Sequence, residues 1–442
     1  MLKAISGSKL ADCSKELFSQ LDALARETKL IVRSSAKFSA AGFVLSLFKA
    51  ILTGKASFNQ IAASLKDTEK KSMSRQGVHG RVDESAVSFM IAATGQALQE
   101  RWAEQTLICS KIFNRALVED SSQAKTHVNN AEDFPGHGNG KGKTAGCKSD
   151  LAFDLLTGEP VLQTLHLATE QDRELGKDLV DLVEEDDLVL RDMGYFSVNE
   201  FARIAQRGAY WLSRVPVSVK IWDTEGRKLE TILRTSKAKQ VELEVLVTEA
   251  GHRARLLAVR AAPEVARERR RRRKEKAREL GKQPSNDMLL RDAWYLLITN
   301  IGEDLMGATD LFKLYSVRWQ IEITFRAWKQ SGQIIKAIGR DSNTFHLQCL
   351  IYAAIILLIL TMKTASLLRQ QHAQCRLSIE NLADNLGSFI LYFSALGFRN
   401  LKGLEILCHQ ALQVWAVLPS ERIDKLIDRR HELGEVLEMS VA

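Results

Sequence analysis

The sequence predicts a mixed α/β fold that is interrupted by a β-rich segment and flanked by helical N- and C-terminal regions. Residues 106–216 alternate between short apolar runs, which are typical of strands, and amphipathic stretches, which are typical of helices. Residues 217–290 contain alternating strand patterns separated by turn residues. Residues 1–105 and 346–442 have mostly helical patterns, and the whole chain of 442 residues has only six prolines.

The N-terminal region, residues 1–105, is predicted to be a helical DNA-binding domain. Ser57–Leu65 begins with a serine suited to an N-cap and continues with an apolar helical pattern. A second short helix is predicted in Ser74–Val82, and it can turn four polar residues outward: Arg75, Gln76, His79 and Arg81. Two such helices resemble a helix-turn-helix reader, although a generic helical pair gives the same pattern and two glycines weaken the second helix.

The first part of the α/β core is predicted over residues 106–216. Apolar runs predict strands, and the amphipathic stretches between them predict helices. In order, the elements are a strand at Arg115–Asp120, a strand pair with a turn in Cys147–Thr169, a helix at Glu170–Val183, a strand at Asp187–Tyr195, a helix at Ser197–Gly208 and a strand at Ala209–Pro216.

The segment from 217 to 290 separates this first part from the rest of the core. It contains patterns of antiparallel strands followed by a basic stretch, Glu264–Lys282, with ten Lys or Arg and four Glu, a net charge of +6. A solvated helix or a flexible charged arm is one interpretation of this stretch. Contact with a phosphate backbone is the other, and the excess of positive charge favours it.

The second part of the core is predicted over residues 291–345. Trp294–Ile301 has the pattern of a buried strand, and a helix follows from about Thr309. The helical region 346–442 is a candidate for dimerisation. Within it, the apolar run Leu347–Met362 is slightly short for a membrane span, so a buried core helix is favoured over a transmembrane helix.

Charge and cysteine content narrow the class of protein. The formal net charge of +8 favours a polyanionic partner. The six cysteines are scattered without a CxxC pair, which argues against a zinc module or a disulfide framework and fits a reducing cytosol. The first residues contain no apolar signal core.

Four polar residues of the segment 315–329 share one stripe of a predicted helix: Tyr315, Arg318, Glu322 and Lys329. At about 100° per residue, they fall within roughly 60° of one another on the helical wheel. An amphipathic surface helix with an intrahelical Arg318–Glu322 pair explains part of this pattern. A functional helix that presents an acid, two cations and a phenol along one edge explains all of it.

Three acidic residues have positions suited to metal binding. Asp120 and Asp192 follow apolar strand patterns, and Glu322 lies on the helix with the polar stripe. Clustered carboxylates of this kind can hold two Mg²⁺ ions about 4 Å apart, an arrangement that catalyses phosphodiester cleavage.

These residues resemble the signature of a known family, the DDE transposases of the insertion-sequence-four family. Tyr315-x2-Arg318-x3-Glu322-x6-Lys329 matches the Y-R-E-K signature of that family in full. Asp192-Met-Gly-Tyr is similar to its second-aspartate motif, and Val118-Glu-Asp-Ser-Ser resembles its first-aspartate segment. The resemblance covers about residues 117–329, and the basic stretch within this range is not part of the family signature.

The resemblance implies a ribonuclease-H-like, retroviral-integrase-like catalytic core with a β-rich insertion before the glutamate helix. It also implies that Asp120, Asp192 and Glu322 are catalytic and bind two Mg²⁺ ions, with Mn²⁺ as a possible substitute. The DNA-binding residues would be Tyr315, Arg318 and Lys329.

The function implied is cut-and-paste transposition by a homodimer in a synaptic complex that holds double-stranded DNA, both the terminal inverted repeats and the target. We expect the protein in the bacterial cytoplasm, associated with the nucleoid. Two alternatives stay open: a ribonuclease-H-like nuclease that only cleaves, and a catalytically inactive DNA-binding inhibitor of transposition.

Overall fold

The computed structural model describes residues 7–33, 37–69, 72–100, 110–138, 142–319, 321–322, 324–326, 337–339 and 343–371. These residues divide into two compact units. The first unit contains the described residues up to 100, together with 121–170 and those from 319 to 371, and the second contains 110–120 and 171–318.

Strands and helices are numbered here in chain order. The strands are β1 Arg115–Lys125, β2 Gly146–Asp154, β3 Pro160–Leu167, β4 Asp187–Arg191, β5 Tyr210–Arg214, β6 Ile221–Asp223, β7 Gln240–Val247, β8 His252–Arg260 and β9 Trp294–Thr299. The helices are α1 Gly7–Glu27, α2 Ala40–Thr53, α3 Phe58–Thr68, α4 Arg75–His79, α5 Glu84–Gln99, α6 Asp172–Asp181, α7 Val198–Gln206, α8 Leu229–Thr235, α9 Pro263–Glu279, α10 Asn286–Arg291, α11 Ala308–Val317 and α12 Thr344–Gln371.

The second unit is built on a mixed sheet, which confirms the prediction of an α/β fold. Its strand order is β1-β4-β5-β9-β8-β7-β6. The strands β1, β4 and β5 are parallel neighbours, whereas β5 and β9, β9 and β8, β8 and β7, and β7 and β6 pair antiparallel. The strands of the 217–290 segment therefore continue this sheet beyond β9.

Strand β4 lies at the centre of the parallel part of the sheet. All five of its residues are buried, because β1 and β5 cover its two edges and its faces lie inside the protein. A strand in this environment has a continuous apolar run, and Leu188, Val189 and Leu190 provide it. Helix α7 begins after β4 with Ser197 as its N-cap, whose hydroxyl accepts from the Glu200 N–H.

The first unit combines helices with a β-hairpin. Strands β2 and β3 pair antiparallel, and β2 neighbours β1, whose last residues belong to this unit. The predicted core helix Leu347–Met362 lies inside α12. In the described part of the chain this helix alone is long and apolar enough to cross a membrane, and 83% of its most apolar stretch is buried in the protein. Such burial is what the core-helix interpretation expects.

The two predicted helices of the N-terminal region correspond to α3 and α4. Helix α4 has only five residues, and Arg75, Gln76 and His79 are exposed on it. Arg81 is half-buried, because its guanidinium lies 5.3 Å from the centre of the Phe38 ring. Three of the four residues predicted to face outward are thus accessible, and DNA contact by this region stays a prediction.

Candidate active site

The predicted catalytic acids Asp120 and Asp192 lie at the same level of two adjacent parallel strands. The last registered pair of β1 and β4 is Val118 with Leu190; Asp120 lies two residues further along β1, and Asp192 lies two residues further along the chain, directly after β4. Side chains two positions apart on a strand share a face. The pairing of β1 with β4 therefore brings together two acids that are 72 residues apart in the sequence.

The two aspartates differ in their local structure. Asp192 follows the last residue of β4, as the sequence predicted, and it precedes a 3-10 turn at Met193–Tyr195. Asp120 lies inside β1, which continues to Lys125, so the expectation that the strand ends at this acid is wrong. The strand continues because β2 neighbours β1 in the first unit. The sequence predicted β2 but not its position beside β1.

Arg318 stands between the two carboxylates. Its Nη1 lies 3.9 Å from Asp120 Oδ2, and its Nη2 lies 4.0 Å from Asp192 Oδ1. The guanidinium is almost fully buried, whereas the aspartate side chains keep 23% and 34% of their surface exposed. One cation thus offsets the mutual repulsion of two acids that remain accessible to a ligand.

Tyr315 contacts the same pair of strands. Its hydroxyl donates to the backbone oxygen of Arg191 at 3.2 Å and lies 3.5 Å from Asp192 Oδ1. Burial raises the pKa of this phenol, and the negative charge of Asp192 raises it further, against the attraction of Arg318. The hydroxyl therefore stays protonated at neutral pH and acts as a donor that orients Asp192.

The polar stripe does not lie on one continuous helix. Helix α11 ends at Val317, Arg318 and Trp319 form a turn, and Ile321 and Glu322 are again helical. Near this end, the Ser316 hydroxyl donates to the Lys313 backbone oxygen at 2.6 Å, a local bond that competes with helical hydrogen bonding. The turn places Arg318 at the C-cap of α11, where its side chain reaches both aspartates.

The remaining residues of the predicted site are placed only in part. Glu322 is helical and half-buried, and it belongs to the first unit, whereas Asp120, Asp192, Tyr315 and Arg318 belong to the second. Lys329 lies outside the described residues. Among the residues that the structure describes, no group of three or more His, Cys, Asp or Glu side chains is gathered into a metal site.

A buried ion pair that the sequence analysis missed lies directly behind the two aspartates. Glu119 Oε2 is 3.0 Å from Arg191 Nη2, and neither side chain is exposed. Burial raises the pKa of Glu119, while the attraction of Arg191 opposes this rise. Because side chains alternate along a strand, this pair lies on the opposite face of the sheet from Asp120 and Asp192.

Helix α6 covers the buried pair. Arg191 Nη2 also donates to the backbone oxygen of Gly176, and a Cβ at that position would lie only 2.9 Å from Arg191 Nη1. Only glycine therefore lets the helix approach the guanidinium so closely. The pair thus links β1 to β4 behind the two aspartates, and helix α6 packs against it.

A signal for this pair is present in the sequence. Glu119 and Arg191 each precede one of the two predicted catalytic aspartates, and they carry opposite charges at matching positions of two strands. A charged residue at the end of an apolar strand, opposite a residue of the other sign, indicates a cross-strand pair once the strands are known to be neighbours. Only the tertiary structure shows that these two strands are neighbours.

Comparisons with known proteins agree on one family. The family model described as "Transposase DDE domain" matches residues 112–358, more than half of the chain. The transposase for insertion sequence element IS231F of Bacillus thuringiensis subsp. israelensis is 24% identical over 375 residues, which are 79% of this chain and 78% of the relative. The IS231E transposase of Bacillus thuringiensis subsp. finitimus is 26% identical over 376 residues, again 79% of this chain and 78% of the relative.

Two further comparisons extend over more of the chain. The transposase for insertion sequence element IS1151 of Clostridium perfringens is 22% identical over 426 residues, which are 89% of this chain and 88% of the relative. The cryo-EM structure of the piggyBac transposase synaptic complex with hairpin DNA has a TM-score of 0.47 at 10% identity, covering 95% of this chain and 87% of that chain. On the family match, the chain belongs to the DDE transposases, enzymes that cut DNA strands and transfer them to new sites.

Proposed function

We propose that this transposase binds the terminal inverted repeats of its own element and moves it by cut-and-paste transposition, with Asp120, Asp192 and Glu322 as the catalytic acids. The convergence of Asp120 and Asp192 on the Arg318 guanidinium, at 3.9 and 4.0 Å, carries the proposal. It supports a shared role for two acids that the sequence places on separate strands.

The chemistry of this donor set fits divalent metal ions. Carboxylate oxygens are the ligands that Mg²⁺ prefers, and both side chains remain partly exposed beside a single cation. Asp120, Asp192 and Glu322 would hold the ions, with Mg²⁺ as the natural cofactor and Mn²⁺ as a substitute. When bound, the ions would supply activation of the attacking oxygen and stabilisation of the leaving oxygen.

The position of Glu322 in the chain supports its membership of this set. Glu322 follows Arg318 by four residues, so chain geometry limits the separation of their Cα atoms to about 15 Å. The Arg318 guanidinium itself contacts both aspartates. The chain therefore tethers this carboxylate close to the arginine that both aspartates contact.

The other signature residues would hold and orient groups around the reacting phosphate. Arg318 balances the charge of the two aspartates and would offer its planar fork to a phosphate oxygen. Tyr315 would keep Asp192 oriented through its hydroxyl, and Lys329 would contact DNA as a point charge. The ribonuclease-H-like fold, the terminal-repeat reader in residues 1–105, a dimer formed through residues 346–442 and a nucleoid location belong to the same proposal.

The test uses the purified full chain and a labelled duplex that carries one end of the element with its flanking DNA. We expect Mg²⁺-dependent nicks at the end of the element and none with EDTA. Asp120→Asn and Asp192→Asn should each lower the cleavage rate by roughly a thousandfold, the scale of losing one transition-state stabiliser. Binding of the duplex in EDTA should persist in both variants.

Asp186→Asn is the matched control. Asp186 is exposed one residue before β4, and its positive φ of 59° is a conformation that asparagine tolerates. This variant should cleave as the wild type does. If Asp120→Asn cleaves as fast as Asp186→Asn, the catalytic assignment is wrong.

A strand-transfer assay distinguishes transposition from the two alternative functions. With a supercoiled plasmid added as target, a transposase joins the labelled 3′ end to the plasmid, and a nuclease that only cleaves yields nicks without joined products. An inhibitor of transposition binds the duplex and yields neither product.

A further inference from the structure

A cleft of about 520 Å³ opens within the second unit. One wall is the face of helix α9, and other lining residues come from the end of β5 and from β9. Met193, the residue directly after Asp192, is also part of the lining and is exposed. The cleft therefore begins next to a proposed catalytic acid and extends along the basic helix that the family signature does not include.

Positive charge dominates the lining of the cleft. Seven Arg or Lys residues line it against a single acid, Asp292. Three of the seven have carboxylate partners: Arg272 with Glu268, Arg273 with Asp292, and Arg291 with Glu230. The other four form no salt bridge with a carboxylate among the described residues: Arg214, Arg269, Lys276 and Lys282.

Two of these four cations, Arg214 and Arg269, repel each other electrostatically. Burial lowers the pKa of Arg269, and the charge of Arg214 lowers it further, while Tyr295 and Asp292 raise it. Arg214 also acts electrostatically on Tyr315, whose hydroxyl lies beside Asp192. The positive charges of Arg214 and Arg269 therefore repel each other, and an anion bound between them would relieve this repulsion.

Trp294, one of the lining residues, has a buried hydrogen-bond donor without an acceptor in the described part of the chain. Trp294 is only 3% exposed, and its indole Nε1 has no hydrogen-bond partner among the described residues. An unsatisfied buried donor costs about 1–3 kcal/mol. A ligand in the cleft would offer its acceptor oxygens to the accessible cations of the lining.

We propose that this cleft binds consecutive phosphates of one DNA strand, the strand cut at the aspartates. The cleft is the size of a small-ligand site and accommodates part of a strand rather than a whole duplex. Phosphodiesters combine negative charge with the acceptor oxygens that arginine and lysine side chains bind. The proposal rests on the proposed function only for the identity of that strand.

Binding measured in EDTA tests the cleft without any cleavage. The test variant is Lys276→Gln/Lys282→Gln, which removes two exposed cations from the lining. The control is Arg267→Gln/Lys274→Gln, which removes two exposed cations of helix α9 that do not line the cleft. Both pairs change the net charge equally, and circular dichroism melting should show that both fold like the wild type.

Affinity for the end duplex is measured over a series of salt concentrations. For the cleft variant we expect the slope of log K against log [salt] to become shallower by up to about 1.8, because two phosphate contacts are lost. The control should keep nearly the wild-type slope. Equal slopes for the two variants would overturn the proposal.

Neutral methylphosphonates placed singly along the end duplex then locate the contact. Substitutions next to the cleavage position should weaken wild-type binding and have less effect on the cleft variant. An unrelated duplex tests target DNA as the alternative source of the phosphates, and an equal loss of slope there, without a position effect on the end duplex, would overturn the assignment to the cut strand. Absence of cleavage by the wild type with Mg²⁺ would instead refute the proposed function, since the EDTA measurements do not depend on catalysis.

Discussion

Arginine has two different roles in two regions of this protein. Around Asp120 and Asp192, Arg191 and Arg318 are buried, with 0% and 7% of their surface exposed, and both contact carboxylates. On helix α9 the arginines are exposed or half-buried, and the basic residues of the helix are more numerous than the acidic residues that pair with them. Buried arginines therefore position groups, whereas the arginines of α9 leave positive charge for an external partner.

The physical reason is the cost of burying a charge. A buried ion needs a partner in good geometry, so its side chain has one position and fixes the position of its neighbours. An exposed ion is hydrated and screened by salt, so it tolerates an incomplete set of partners. Three substitutions test this contrast, in order of decreasing expected effect.

Removal of one member of the buried pair should have the largest effect on stability. Arg191→Met leaves Glu119 buried without its partner, which should lower the free energy of unfolding by about 3–5 kcal/mol. Urea unfolding followed by tryptophan fluorescence measures the change. The double variant Glu119→Leu/Arg191→Met removes both charges and should recover most of the loss, because apolar replacements of buried pairs are often neutral.

The double variant also separates stability from alignment. If the pair fixes β1 against β4, cleavage should stay reduced in the double variant even where its stability is restored. A double variant that is as unstable as Arg191→Met would contradict the assignment of the cost to an unpaired charge.

The close approach of helix α6 should show an intermediate effect. Gly176→Ala introduces a Cβ at 2.9 Å from Arg191 Nη1, and overpacking of this kind should cost about 1–3 kcal/mol. Gly95→Ala in α5 is the control, since a Cβ there meets nothing within 4 Å and alanine should stabilise the helix by about 0.5–1 kcal/mol. Opposite shifts of the melting temperature are expected, and shifts of the same sign would contradict the role of Gly176.

The exposed pairs of α9 should show the smallest effect. Arg271 and Arg272 lower the pKa of Glu268 to about 2, so its contribution to stability is present above its unfolded pKa of 4.5 and is lost as the pH falls towards 2. Glu268→Gln should therefore shift the melting temperature slightly and by a constant amount between about pH 5 and pH 8, with the shift disappearing in acid. A shift as large as that of Arg191→Met would contradict the contrast between the two regions.

Local sequence patterns predicted much of the fold. The continuous apolar run before Asp192 predicted β4, the serine and glycine around α7 predicted its ends, and the pattern of 294–301 predicted β9. The continuous helix expected through Tyr315, Arg318 and Glu322 was wrong. Helical periodicity does not record where a turn interrupts a helix, and Arg318 makes its contacts from such a turn.

The sequence by itself determined the residue types, the order of the strands and helices along the chain, and the signature that indicated the family, because these depend on local periodicity and spacing. Only the tertiary structure decided that β1 and β4 are parallel neighbours, that Glu119 pairs with Arg191 behind the aspartates, and that one face of α9 lines a cleft beside Asp192. Strand pairing and burial depend on residues far apart in the chain, and local patterns carry no information about which of them meet.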